Sequence, residues 1–112
     1  MNIKVINKIK ELCKLKSETT INDTILMYSE ENNRIDFGRV VEIIPVNGLF
    51  EITILFFQLP FKRVRFRLTL DCLNGKDIFS FDGHISFIAA IDFEGMLLPE
   101  KKKETKLKLV KG

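Results

Sequence analysis

Tryptophan is absent from this 112-residue chain, tyrosine and histidine occur once each, and cysteine occurs only twice. Each shortage removes a class of function. A lone His84 with Cys13 and Cys72 gives no metal-ligand spacing, so neither a metal site nor a disulfide framework is expected. There is no glycine-rich phosphate loop of the Walker or Rossmann kind, and no serine in a nucleophile-elbow context. Without a nucleophile–base pair, a carboxylate pair or a metal cluster, the chain reads as non-enzymatic, with no catalytic residues and no cofactor. No apolar run approaches the length of a membrane span. The N-terminus also lacks the apolar stretch of a signal peptide, so a cytoplasmic protein with two reduced thiols is expected.

Charge is present but unevenly placed. Residues 1–16 carry five lysines against Glu11, and residues 101–112 carry six lysines against Glu104. The body between them has seven basic and thirteen acidic residues, so the net +3 is the sum of basic ends and an acidic middle. A body that coats nucleic acid should be basic over a wide stripe. Nor are any of the ten phenylalanines interleaved with lysines as in an RNA-binding sheet. Nucleic acid is therefore an unfavoured partner.

The most informative stretch is Phe61-Lys62-Arg63-Val64-Arg65-Phe66-Arg67-Leu68-Thr69-Leu70. Alternation along a strand puts Val64, Phe66, Leu68 and Leu70 on one face and Arg63, Arg65, Arg67 and Thr69 on the other. Asn74-Gly75 follows, a dipeptide suited to the two positive φ angles of a type I′ turn. A hairpin about that turn pairs Leu70 with Phe79, Leu68 with Phe81, Arg67 with Asp82, Arg65 with His84 and Arg63 with Ser86. It predicts an Arg67–Asp82 ion pair and leaves Arg63 and Arg65 without an acidic residue opposite. A positive charge on His84 is then disfavoured by Arg65 beside it. The candidate ligand-binding set is Arg63, Arg65, Arg67, His84 and Ser86, an anion site in which planar guanidinium forks hold paired oxygens.

Elsewhere, Ile6, Ile9, Leu12 and Cys13 recur at helical spacing, which predicts an amphipathic helix over 1–16. Strands are expected at 23–29 and 34–44 about Asn32-Asn33, pairing Tyr28 with Phe37. Asn47-Gly48 joins 38–46 to 49–58, so that Val41 faces Ile54 and Ile43 faces Ile52. Leu59-Pro60 interrupts, and the strand from Lys76 runs towards Ile88, with 89–93 continuing it past a bend. Glu94-Gly95 is a turn before Met96-Leu97-Leu98. The fold class is mainly β: a small antiparallel meander or β-barrel with one N-terminal amphipathic helix. Residues 1–100 form a single domain, with the barrel or rolled sheet over 21–98 and a basic C-terminal tail at 101–112. Residues 49–61 carry apolar groups on both faces, which calls for cover by the helix or by a second subunit.

Arg63-Val64-Arg65-Phe66-Arg67 resembles the Arg-x-x-x-Arg motif of PilZ domains, small antiparallel barrels that bind cyclic di-GMP. The family's second motif, Asp/Asn-x-Ser-x-x-Gly, is met at His84-Ile85-Ser86-Phe87-Ile88-Ala89 only by Ser86. The likeness spans residues 61–95. It implies that Arg63 and Arg67 clasp the phosphates of a cyclic dinucleotide while Ser86 faces the ligand.

The reading is thus a non-enzymatic intracellular binding module with the arginine-bearing strand face as its anion or nucleotide site. The alternative is a protein–protein interaction or assembly subunit, a homodimer through residues 49–61, with no small-molecule ligand. A nucleic-acid-binding small barrel is a second alternative.

Overall fold

The computed structural model describes residues 3–58 and 62–93. Helix α1 (Ile3–Leu12) is followed by β1 (Thr24–Ser29), β2 (Arg34–Val46), β3 (Leu49–Phe56) and β4 (Lys62–Leu68). A single helical turn α2 (Leu70–Leu73), then β5 (Phe79–Phe81) and β6 (His84–Ala90), complete the described elements. The strands form one antiparallel sheet in the order β4-β3-β2-β1-β6-β5, curled into a half-barrel. The expected mainly β fold with an N-terminal helix is what the structure shows. The chain meanders from β1 to β4 and then crosses through α2 to the far edge of the sheet.

That crossing overturns the hairpin centred on Asn74-Gly75. A type I′ turn needs positive φ at both central residues, but Asn74 has φ −95°. Asn74 instead ends α2: its N–H donates to Leu70 O and its Oδ1 accepts from Thr19 N at 2.9 Å. Only Gly75 is left-handed, at φ +71°, and a Cβ there would lie 3.2 Å from Ile88 O. The two-residue turn is Asp82-Gly83, with φ 54° and 79°, joining β5 to β6. Strand β4 pairs with β3, so none of the predicted pairs between 63–70 and 79–86 forms.

Two other registers shift. Tyr28 pairs with Ile35, not Phe37, because Ser29 and Arg34 close a four-residue loop. Asn47-Gly48 does turn β2 into β3, and Ile43 does face Ile52. A β-bulge leaves Val41 unpaired between Val40 and Glu42, so it is Val40 that meets Ile54.

Helix α1 is shorter than the expected 1–16. Lys14 to Lys16 leave it to run beside the end of β6, where Leu15 bridges Ile91 and Lys16 N–H donates to Ala90 O. Ile6 and Ile9 are buried and Cys13 packs with them, whereas Leu12 points away from the sheet. The helix covers the convex face of β1 and β6 through Leu26, Tyr28, Phe87 and Ala89. Burying Ile6 and Ile9 contributes about 1.5–3 kcal/mol each.

The doubly buried strands are therefore β1 and β6, not β3. The outward Leu49 of β3 and Phe57 just after it are exposed, and α1 does not reach them. The expected positions Leu59 to Phe61, the Glu94-Gly95 turn, Met96 to Leu98 and the basic tail lie outside the described residues.

Candidate functional site

The concave side of the half-barrel has two unlike ends. At one end Ile25, Val40, Ile52, Leu68, Leu73 and Ile88 pack together, and α2 rests on β3, β4 and β6 to close it. At the other end the same strands continue one or two residues further with different side chains. Ile88 gives way to Ser86 and His84 along β6, and Met27 to Ser29 along β1. On β2 the inward positions are Arg34 and Asp36, which pair with Ser29 and Met27. Gln58 follows β3, and Lys62 opens β4 opposite Phe56. The result is a mouth of about 350 Å³ to which all six strands contribute.

Its floor and walls are apolar, made by Met27, Phe56, Val64, Phe66 and Phe81. Phe66 reaches across the gap between the two sheet edges, its ring 4.5 Å from Phe81 and 5.7 Å from Phe79, both edge-on. This aromatic contact, not a hydrogen-bonded ladder, draws β4 towards β5. The expected partners of Phe79 and Phe81 were Leu70 and Leu68; the residue that meets them is Phe66.

The polar groups of the mouth fall into two kinds. Some are paired: Arg34 Nε lies 2.8 Å from Asp36 Oδ1, and His84 Nε2 lies 2.9 Å from Glu31 Oε2 in the β1–β2 loop. Others are not. Ser86 is 1% exposed and its Oγ has no hydrogen-bond partner among the described residues. Gln58 Oε1 is likewise buried and unpartnered. Lys62 and Asp82 also line the mouth, with no ion pair among the described residues. A buried polar group without a partner costs about 1–3 kcal/mol, and Ser86 Oγ and Gln58 Oε1 are two such groups in one recess.

The five predicted site residues do not share a face. His84 and Ser86 open into the mouth, while Arg63, Arg65 and Arg67 stand exposed on the convex side. Arg65 does have an acidic partner: Glu51 of β3 gives Oε1 to Arg65 Nε at 3.4 Å and Oε2 to Arg67 Nε at 3.1 Å. The expected Arg67–Asp82 pair is therefore replaced by Arg67–Glu51, and Arg65 does not sit beside His84. Arg63 lies opposite Leu55 and has no ion pair among the described residues. Arg63 lines a recess of about 400 Å³ together with Glu42, Thr53 and Arg65, and Thr53 Oγ1 in it is buried without a partner.

Gln58, Lys62 and Asp82 were missed as candidates. The signal for Asp82 is Asp82-Gly83 itself, as strong a hairpin cue as Asn74-Gly75, whereas no local pattern marks Gln58 or Lys62. Read as the turn, Asp82-Gly83 puts Phe81 opposite His84 and turns the inward face of β6 into the wall of a groove. Among the described residues no group of histidine, cysteine or acidic side chains gathers to hold a metal ion. No described helix is long and apolar enough to cross a membrane. No family model matches the chain, and neither a curated protein nor a solved structure does so.

Proposed function

We propose that the chain is a non-enzymatic binding module whose half-barrel mouth holds a small molecule. The observation that carries this reading is Ser86, almost wholly buried yet unpartnered, in an apolar recess shared by all six strands. Small-molecule sites have this form: concave, mostly apolar, with a few convergent polar groups, and often in the mouth of a barrel. The volume fits one metabolite-sized ligand. Binding is favoured over hydrolysis because Ser86 Oγ has no bond to His84, whose Nε2 is held by Glu31.

A second reading places an anion on the convex face, and Arg63 favours it, together with the unpartnered Thr53 hydroxyl in the recess beside it. A cyclic dinucleotide held as in PilZ domains would need Arg63, Arg67 and Ser86 around one ligand, and these stand on opposite faces of the sheet. That reading therefore rests on Arg63 and Thr53, since Glu51 already engages Arg65 and Arg67. A fragment screen followed by amide chemical shifts separates the two. Hits that move Ser29, Gln58, Lys62 and Ser86 support the mouth. Hits that move only Thr53, Arg63 and Arg65 replace it with the arginine face, and a screen without hits removes both.

A further inference from the structure

Resting on the mouth being the ligand site, we infer that its occupant is a nucleoside monophosphate, bound base-first. Three features of the recess, taken together, select this chemistry. The first is shape and surface. Phe56, Phe66 and Phe81, with Met27 and Val64, line the recess with aromatic and aliphatic side chains against which a planar guest can lie. Stacking a base on an aromatic side chain is worth about 1–3 kcal/mol and tolerates any base.

The second is the pair of unsatisfied groups. A hydroxyl is both donor and acceptor, and a carboxamide presents one of each side by side. With Ser86 Oγ and Gln58 Oε1 the unpartnered atoms, the recess asks for a guest edge that offers an N–H donor to the amide oxygen and a donor or acceptor to the hydroxyl. A base edge does so. An alkyl chain or a plain aromatic hydrocarbon would leave both groups unpaired and bear their desolvation cost.

The third is the rim. Arg34 and His84 are already engaged by Asp36 and Glu31, which leaves Lys62 as the cation without an ion pair among the described mouth residues. One ammonium, a compact charge with three donors, suits a single phosphate rather than a di- or triphosphate. Asp82, at the Asp82-Gly83 turn of the β5–β6 hairpin, supplies a carboxylate that can accept from sugar hydroxyls. At about 350 Å³ the mouth takes one nucleotide and not two.

The test is an amide chemical-shift titration of the full chain with the common nucleoside 5′-monophosphates. Parallel arms use the matching nucleosides, inorganic phosphate, an indole carboxylate and decanoate. At least one monophosphate should move Gln58, Lys62 and Ser86 in a saturable way, its nucleoside binding roughly tenfold more weakly. Lys62→Gln should bring the monophosphate down to the level of the nucleoside and leave the nucleoside unchanged. Ser86→Ala should weaken both alike. Decanoate or the indole acid saturating the mouth while every nucleotide is silent would overturn the inference and leave the mouth as a site for another guest. Silence of every arm at the mouth, or phosphate alone acting at Arg63, would overturn the inference and the site together.

Discussion

The two ends of the concave face are built by the same strands, yet of the two, among the described residues, only the mouth leaves buried polar atoms without partners. At the closed end the polar groups around α2 find partners. Thr19 Oγ1 donates to Leu73 O at 2.7 Å, Thr19 N–H donates to Asn74 Oδ1, and Asp23 accepts from Lys16, from Thr20 N–H and from the Thr20 hydroxyl. At the mouth Ser86 and Gln58 have none. Both ends are buried enough to penalise an unpaired group. The closed end spends its polar groups on the fold, and the mouth leaves two of them unpaired.

The largest effect belongs to the closed end. Ile88 is fully buried on β6 and packs in the cluster with Ile25, Ile52 and Leu73. Ile88→Ala should cost about 2–5 kcal/mol in denaturant unfolding, through lost transfer energy and the cavity left behind. A loss below about 1 kcal/mol would mean that this end is not the tightly packed one, and the contrast would fail.

A smaller effect comes from Asp23, at the rim of the same end. Burial raises its carboxyl, but the Lys16 hydrogen bond, the two Thr20 bonds and the Lys16 charge outweigh burial and hold it below the ordinary 3.8. A folded-state value below the unfolded one stabilises the protein above the unfolded value, and that stability is lost as pH falls through the folded value. Asp23→Asn should thus cost about 1–3 kcal/mol between about pH 5 and 8, and the gap to wild type should narrow below about pH 4. Unfolding curves measured across that range check both the size and the sign. A gap that stays constant into acid would show that the ionised carboxylate is not what holds this corner.

Much of this architecture was legible from residue patterns. The alternation at 62–68 places the arginines outward and Val64, Phe66 and Leu68 inward, as found, because the two-residue period does not depend on which strand lies alongside. The Asn47-Gly48 turn was legible because both residues take the positive φ that only such dipeptides accept easily. Asn74-Gly75 misled for a physical reason. Thr69 caps α2, its hydroxyl accepting from Cys72 N–H, and one helical turn then places Asn74 at a C-terminus, where a following left-handed glycine is equally at home. Local chemistry allowed both, and the packing of Cys72 and Leu73 into the core decided. The site was legible only in halves. His84 and Ser86 were singled out for facing the arginines, a pairing that does not form. Their common direction into a groove depended on β6 lying beside β1, a long-range choice that no turn dipeptide encodes.

The smallest effect, and the one that sharpens the contrast most, is Ser86→Ala. The residue is as buried as Ile88's neighbours, so burial alone would forecast a loss of stability. Its hydroxyl has no partner, however, so removal takes away an unsatisfied polar group and only one heavy atom of packing. Stability in the absence of ligand should stay within about 0.5 kcal/mol of wild type or rise by up to about 1 kcal/mol. The same change should weaken binding at the mouth, where the hydroxyl is available to a guest. A hydroxyl whose removal costs the fold nothing but weakens ligand binding separates a group kept for binding from one kept for packing. A clear loss of stability on Ser86→Ala, measured by denaturant unfolding without added ligand, would show that the hydroxyl serves the fold. The mouth would then be only an unfilled end of the core.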